Sequence, residues 1–222
     1  MGKEHKTISI AEQIFENLEH DILSGKYERG SILSEARLCE ELGVSRTPVR
    51  EALKALEQEH ILAETGRGLE VVGISFQDMV DMYAIRMRIE GDCAALSARN
   101  ITGEELEEMG EINDLQQFYI DRQRNMGTDC SDSIKDLDSR FHQLLYRSSH
   151  SNTYGDILTN LHKRMTKYRK ASVRQTGRAE ESLREHRKIY DALRAHDEEQ
   201  ARQLAEYHVT QARKSIIALE DQ

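Results

Sequence analysis

Four side chains in the C-terminal part of the chain have the types and spacing of metal ligands. Asp138 and His142 are four residues apart, so both can reach one point from a single face of a helix. His186 and His208 each share a helical face with apolar neighbours. One carboxylate and three imidazoles suit a borderline divalent cation such as zinc, nickel or manganese. The spacing therefore favours a site for such an ion among three helices.

Each of these residues also has a purely structural interpretation. A single inward histidine is more often a core residue with a satisfied hydrogen bond, and only the coincidence of four polar groups favours an ion. Arg86 also interrupts an apolar stripe, which includes Met79 and Cys93 of its predicted helix. Because isolated buried polar groups are costly, we expect these inward side chains to share partners.

The segments that carry these residues have the apolar periodicity of helices. Thr102 and Glu105 fit a capping box at the start of one of them, and no β-hairpin signal appears after Ser75. An antiparallel bundle is therefore predicted. Its helices are expected at about residues 76–99, 103–126, 132–150, 153–172, 178–195 and 198–220.

A helix near residue 50 is predicted to have two unlike faces. Its apolar stripe includes Val49 and Leu53, whereas Arg46 and Arg50 recur on another face, beside Thr47. A helix that opens with arginine and threonine can place its first turn in a DNA major groove, because arginine reaches guanine edges and phosphates there. This segment indicates DNA as the leading partner.

A short helix is predicted before it, over residues 34–42, with Leu38 and Leu42 turned inward. Gly43 has the backbone freedom to end that helix, and Ser45 is a plausible N-cap for the next one. Two helices separated by about three residues make a helix-turn-helix.

A β-hairpin is predicted after the helix-turn-helix. Two β-prone runs, 61–64 and 69–72, flank a loop that contains Gly66 and Arg67. A hairpin in this place is a wing, and Arg67 at its tip could enter a narrow minor groove. The predicted fold is mainly α, with an N-terminal winged helix-turn-helix at residues 1–74 and an all-α antiparallel bundle at 75–222.

The order of these elements resembles the winged-helix domain of GntR-family transcription regulators, over about residues 8–73. The matching stretches are Ile22 to Tyr27, Leu33 to Glu35, Gly43 to Leu53 and Gly66 to Gly68. The resemblance implies DNA contacts by Arg37, Ser45, Arg46, Thr47, Arg50, Gly66 and Arg67. Two positions depart from the family pattern. Arg29 stands where proline is usual, and Ala36 where many members carry a basic residue, for which the adjacent Arg37 can substitute.

The rest of the chain, over about residues 76–218, resembles the FCD domain of the FadR-type subfamily, in its metal-binding branch. The matching elements are Arg86 in the stretch Tyr83 to Glu90, Asp138-x-x-Phe141-His142, Glu185-His186 and Tyr207-His208. The resemblance implies that Asp138, His142, His186 and His208 hold a divalent ion and that a small carboxylate effector completes its coordination. Arg86 matches a position near the effector, where a guanidinium can bind a carboxylate bidentately. An ion pair with Glu90 or with another helix explains Arg86 equally well.

Composition sets further bounds. The formal net charge is -9, which argues weakly against nucleic acid unless a local basic patch forms. A basic run at residues 162–188, which includes Arg178, could attract an anionic effector or contact DNA, but a solvated face is the favoured interpretation. The three cysteines lack metal-ligand spacing and indicate reduced thiols. No apolar run has the length of a membrane span, and the first residues do not resemble a signal peptide, so a cytoplasmic protein is expected.

The sequence favours a homodimeric regulator that binds a pseudo-palindromic operator and senses a small organic acid. Two other functions stay open. Asp138 and three histidines with an open position could activate water in a metal-dependent hydrolase. Alternatively, the chain could be an architectural DNA-binding protein whose bundle only dimerises, which requires neither metal nor effector.

Overall fold

The computed structural model describes residues 9–166 and 177–220 of the 222-residue chain. The chain divides into two compact units, with the division between Ser75 and Phe76. Among the described residues, no helix is both long and apolar enough to cross a membrane.

The first unit is a winged helix-turn-helix. Its elements are α1 (Ile10–Leu23), β1 (Ile32–Leu33), α2 (Glu35–Leu42), α3 (Arg46–Gln58), β2 (Leu62–Thr65) and β3 (Gly68–Val71). The strands form one antiparallel sheet in the order β1-β3-β2. Apolar side chains of all three helices and of the sheet form its core, with Val49 and Leu56 of α3 fully buried.

Local signals set the turn between α2 and α3. The Ser34 hydroxyl caps α2 by accepting a hydrogen bond from the backbone N–H of Arg37, and Gly43 ends the helix at a φ of +65°. Two expectations need correction. Leu42, the last residue of α2 before this turn, is 43% exposed, so only Leu38 turns inward. Ser45 occupies the N-cap position of α3, but its side chain makes no capping hydrogen bond.

The wing is the hairpin of β2 and β3, in which Thr65 pairs with Gly68 across the loop that holds Gly66 and Arg67. The sheet has one strand more than predicted. In β1, Ile32 pairs with Glu70 of β3. A strand of two residues is too short to show the alternation of apolar and polar side chains by which strands are recognised in a sequence.

The second unit is a helical bundle. Its described helices are α4 (Phe76–Asn100), α5 (Gly103–Met126), α6 (Ser131–Ser148), α7 (Asn152–Arg164), α8 (Arg178–Arg194) and α9 (Glu198–Glu220). α6 ends earlier than predicted because His150 adopts a left-handed backbone with a φ of +54°. The helix predicted over 153–172 ends at Arg164, and its last predicted residues, 167–172, lie outside the described part of the chain.

Helix ends and close contacts stabilise the bundle. The predicted capping box of α5 is present, because the Thr102 hydroxyl accepts the backbone N–H of Glu105 while the Glu105 carboxylate accepts that of Thr102. α4 and α9 pack closely at Gly91, where an added Cβ would lie 2.7 Å from the Glu206 side chain. The prediction of a mainly α chain, with a winged helix-turn-helix followed by a helical bundle, is confirmed.

Candidate functional site

Three histidines from three helices meet at the centre of the bundle. All three side chains are buried: His142 of α6, His186 of α8 and His208 of α9. One ring nitrogen from each histidine lies within 4.8 Å of the chosen nitrogens of the other two. The Nε2 atoms of His142 and His208 are 3.2 Å apart. A group of this kind could hold a metal ion.

Two carboxylates fix the orientation of two of these rings. His142 Nδ1 lies 3.2 Å from Oε1 of Glu90, and His208 Nδ1 lies 2.6 Å from Oε2 of Glu185. Because an ionised carboxylate can only accept hydrogen bonds, each Nδ1 carries a ring hydrogen, and Nε2 is the nitrogen left to bind a cation. With metal–nitrogen bonds of about 2.1 Å, neighbouring ligand nitrogens are separated by about 3.0–3.4 Å. The 3.2 Å separation of the two Nε2 atoms therefore fits a shared cation.

His186 is held by stacking rather than by hydrogen bonds. Its ring lies parallel to that of Phe141, with ring centroids 4.0 Å apart, and neither ring nitrogen has a hydrogen-bond partner in the structure. Complete burial lowers the pKa of His186 well below its usual value, so the ring is neutral. A neutral imidazole with an unshared lone pair is the form that binds a cation.

Asp138 lies beside this group. One of its carboxylate oxygens is 3.7 Å from His186 Nε2 and 3.4 Å from the Ser182 hydroxyl, which donates to it. The group whose ligand atoms all lie within 4.8 Å of one another contains only the three histidines, so Asp138 stands at its edge. Of the four residues predicted as ligands, the structure brings three directly together and places the fourth next to them.

Each orienting carboxylate is itself held by a buried arginine. Arg86 donates two hydrogen bonds to Glu90, at 2.7 and 3.0 Å, and Arg178 donates two to Glu185, both at 2.9 Å. Burial alone would raise the pKa of both carboxyl groups, but the guanidinium and imidazole partners outweigh it and keep the two pKa values low. Two arginine–glutamate–histidine chains thus converge on the centre, one through His142 and the other through His208.

Sequence reasoning found Arg86 but misjudged Arg178. The ion pair of Arg86 with Glu90 is present, as one of its two interpretations required. Arg178 was assigned to a solvated face, yet it is 7% exposed and belongs to the site. Its helical spacing gave a usable signal, because Arg178, Ser182 and Glu185 follow one another at intervals of four and three residues on α8.

Two further aromatic side chains of the site were not singled out in the sequence. The Tyr146 hydroxyl lies 3.5 Å from both His142 Nδ1 and an Arg86 Nη atom. His162 of α7 is buried, with its ring centroid 4.9 Å from that of His142. Tyr146 lies four residues after His142, a helical spacing that could have identified it, whereas only the fold brings His162 to the centre.

A small cavity of about 40 Å³ lies among these groups. Its walls combine both buried arginines, two of the histidines and several neutral side chains. The lining residues are Tyr83, Arg86, Gln116, Ile134, Asp138, His142, Arg178, Ala179, Ser182, His208 and Ala212. Anionic, hydrogen-bonding ligands of low molecular weight suit such walls.

The winged-helix unit presents the residues expected at DNA on its surface. The positions Arg37, Ser45, Arg46, Thr47, Arg50, Gly66 and Arg67 are all exposed. Three of these arginines are engaged by nearby carboxylates. Arg50 donates to both oxygens of Glu35 at 3.0 Å, and the other two pairs are Arg37 with Glu41 and Arg67 with Glu70.

A winged helix joined to a helical bundle with a polar central cavity is the architecture of ligand-responsive transcription regulators. Family comparison agrees with this class. Residues 10–71 match the family of bacterial regulatory proteins named gntR, and residues 81–211 match the FCD domain. The chain belongs to the GntR family of transcription regulators, and its FCD domain fits the FadR-type subfamily.

Several relatives support this membership along nearly the whole chain. The HTH-type transcriptional regulator YdhC of Bacillus subtilis is 29% identical over 86% of this chain and 84% of its own length. The HTH-type transcriptional repressor RspR of Escherichia coli is 28% identical over 95% of this chain and 90% of its own.

Solved structures show the same fold. The E. coli protein McbR/YncC superposes with a TM-score of 0.77 at 24% identity, and 96% of this chain and 100% of that one are covered. A putative GntR regulator from Rhodococcus sp. RHA1 gives a TM-score of 0.70 at 26% identity, with 94% and 97% covered.

The buried histidines predict how the stability of the metal-free protein depends on pH. Burial lowers the pKa of His142 to about 4, although Glu90 opposes the shift, and the unfolded chain has the ordinary histidine value of about 6.5. Between these two values the unfolded state binds more protons, so the free energy of unfolding should fall as the pH falls. Thermal unfolding of chelator-treated protein from about pH 7 to about pH 5 measures this effect. The variant His142→Gln should show a shallower dependence, and equal slopes for both proteins would contradict the assignment.

Proposed function

We propose that this regulator binds a pseudo-palindromic operator as a homodimer, in the cytoplasm, and that a small carboxylate effector controls the binding. The proposed effector site contains one divalent ion, which is zinc, nickel or manganese. The ion is held by Asp138, His142, His186 and His208. The observation that carries the proposal is the convergence of three buried imidazoles whose other contacts leave ring nitrogens for a cation. When bound, the ion supplies a positive charge that attracts a carboxylate.

Arg86 is proposed to orient the effector. It lines the cavity, and its guanidinium is held in place by Glu90 and Tyr146. A guanidinium fixed in this way loses little side-chain entropy when a carboxylate binds, which favours tight and directional binding. The effector would change operator affinity only to the extent that it binds one arrangement of the bundle more tightly than another.

DNA recognition is proposed to involve the exposed residues of α2, α3 and the wing: Arg37, Ser45, Arg46, Thr47, Arg50, Gly66 and Arg67. The first turn of α3 carries Arg46 and Thr47, and the burial of Val49 and Leu53 on its other face anchors the helix on the unit. The N-terminal residues of a recognition helix are those that reach base edges in the major groove.

Two competing functions find less support. A hydrolase would need a general base near the ion, but Glu90 and Glu185 are each bound by an arginine and a histidine. The family and the named relatives are transcription regulators rather than enzymes. A bundle that served only to dimerise would have no need of a polar cavity and three buried histidines at its centre.

Operator binding should depend on the first turn of α3. Arg46→Ala and Arg50→Ala should each weaken specific binding by about 1–3 kcal/mol if the side chains make bidentate base contacts. Neither change should lower thermal stability, because both side chains are exposed. Fluorescence anisotropy with operator DNA measures the effect, with Arg29→Ala as an exposed arginine control. Unchanged affinity in both variants would exclude α3 as the recognition helix.

Purified protein should carry about one divalent ion per chain in elemental analysis, provided that no chelator is used. His208→Ala should lower both the metal content and the thermal midpoint, because the ion links separate helices. Glu185→Gln, which removes the charge that orients His208, should weaken metal binding about 10–100-fold. His20→Ala, at an exposed histidine of α1, is the control. Protein that contains no metal and cannot be loaded with zinc, nickel or manganese would refute the effector site.

Arg86 should affect the effector but not the ion. Arg86→Lys keeps the positive charge beside Glu90, so it avoids leaving a buried carboxylate unpaired, but it loses the planar fork that binds a carboxylate bidentately. The expected result is normal metal content and a weakened shift of thermal midpoint in a screen of small carboxylates. If the variant responds to the same acids as the wild type with equal strength, Arg86 is not an effector ligand.

A further inference from the structure

An exposed ion pair joins the two helices of the helix-turn-helix. Arg50 of α3 donates one hydrogen bond from Nε and one from Nη2 to the two carboxylate oxygens of Glu35, both at 3.0 Å. The two residues are 15 positions apart in the chain, and Glu35 is the first residue of α2. The pair therefore fixes the guanidinium of Arg50 relative to a second helix.

The geometry of the pair leaves one edge of the guanidinium available. An arginine side chain has five N–H donors in a rigid, planar fork. Glu35 accepts along the edge formed by Nε and Nη2, so the remaining N–H groups lie on Nη1 and on the far side of Nη2. Two of these are parallel and suit adjacent acceptors such as O6 and N7 of guanine. Arg50 can therefore bind Glu35 and a guanine at the same time.

Glu35 is ionised and lies close to both arginines of the first turns of α3. The hydrogen bonds from Arg50 lower the pKa of Glu35 below its usual value, and the positive charge of Arg46 acts in the same direction. The Glu35 side chain is 29% exposed, whereas that of Arg50 is 68% exposed. The carboxylate is the more sheltered partner, so DNA that approaches this surface meets Arg50 before Glu35.

An arginine that is held in place before binding loses less conformational freedom when it binds. A long, exposed side chain has many rotamers, and most of them are given up in a contact with one base. A surface ion pair is weak, so Glu35 adds little to the stability of the fold. It has only to bias the orientation of Arg50, and two parallel hydrogen bonds supply that bias.

We propose that Glu35 is a positioning residue for operator recognition, which holds Arg50 with its free edge available for a guanine of each half-site. The inference rests on the proposed function, in which α3 is the recognition helix. It gives a negatively charged side chain a favourable role in DNA binding. Charge alone predicts the opposite, because a carboxylate near DNA repels the phosphates.

The test selects duplexes from a random-sequence DNA library with the full-length wild type and its variants. Arg50→Ala should lose the preference for guanine at one position of each half-site. Glu35→Gln keeps the shape of the side chain but accepts only one of the two hydrogen bonds, so it should weaken the preference at the same position. Arg50→Lys, which keeps the charge but not the fork, should weaken it too. Glu40→Gln removes a charge from another exposed position of α2 and should keep the wild-type preference.

Fluorescence anisotropy with a duplex selected by the wild type measures the size of the effect. Glu35→Gln should bind this duplex about two- to fivefold more weakly, as expected for the loss of an exposed pair. Its affinity for a duplex of shuffled sequence should be unchanged or higher, because a negative charge has been removed. A purely structural role for Glu35 would lower both affinities together and would also lower the thermal midpoint. Glu40→Gln should change both affinities in the same direction.

Several results would overturn the inference. Tighter binding of the selected duplex by Glu35→Gln would show that the carboxylate only opposes DNA. An unchanged guanine preference in that variant would show that Arg50 needs no positioning. A preference that weakens equally in Glu40→Gln would assign the effect to charge rather than to the ion pair.

The same selection separates this inference from the proposed function. If Arg50→Ala loses the guanine and Glu35→Gln keeps it, α3 stands as the recognition helix and only the role of Glu35 fails. If the wild type enriches no sequence, or if Arg50→Ala enriches the same sequences as strongly as the wild type, the assignment of Arg50 to operator recognition is itself wrong.

Discussion

The burial of charge at the centre of the helical bundle is the constraint on which the rest of the effector domain depends. Arg86 and Arg178 are almost completely removed from water, and each is stable there only because a glutamate accepts two of its hydrogen bonds. Glu90 and Glu185 then have further acceptor capacity, which His142 and His208 use. The same ion pairs that offset the cost of burial therefore fix which nitrogen of each ring faces the cavity.

This arrangement joins four helices to one point. α4 contributes an arginine–glutamate pair, α8 contributes another, and α6 and α9 contribute the histidines that the two glutamates orient. A cation or anion added at the centre acts on all four helices at once, because each ligand is connected to a partner on a different helix. Such a centre can bias the packing of the bundle only if two packings differ in their affinity for the ligand. α4 begins at Phe76, directly after the winged-helix unit in the chain, so a change in its packing has a covalent route toward the residues proposed to bind DNA.

The sequence predicted the fold well because the local signals are strong. The capping box at Thr102, the left-handed turn at Gly43 and the apolar stripe of Val49 and Leu53 each lie within a few residues of the structure they specify. It also singled out the three histidines that the structure brings together, since they lie among the apolar residues of their helices. The role of Arg178 was missed, because a basic residue in a basic segment is commonly interpreted as solvated and its helical spacing with Glu185 was given no weight.

Interactions between distant parts of the chain explain the other differences. The pairing of Glu185 with His208 joins residues 23 positions apart, and the approach of His162 to His142 depends on how α7 packs on α6. Neither is encoded by helical periodicity, which reports the face of a residue but not its partner.

The surface proposed to bind DNA shows the reverse case. The pairs of Arg50 with Glu35 and Arg67 with Glu70 are exposed, so each is a weak interaction that a phosphate can replace. In the free protein these carboxylates reduce the local positive charge, which lowers non-specific attraction to DNA. A unit of this kind gains specific affinity mainly when two copies bind two half-sites, so weak attraction by each copy favours the operator over other DNA.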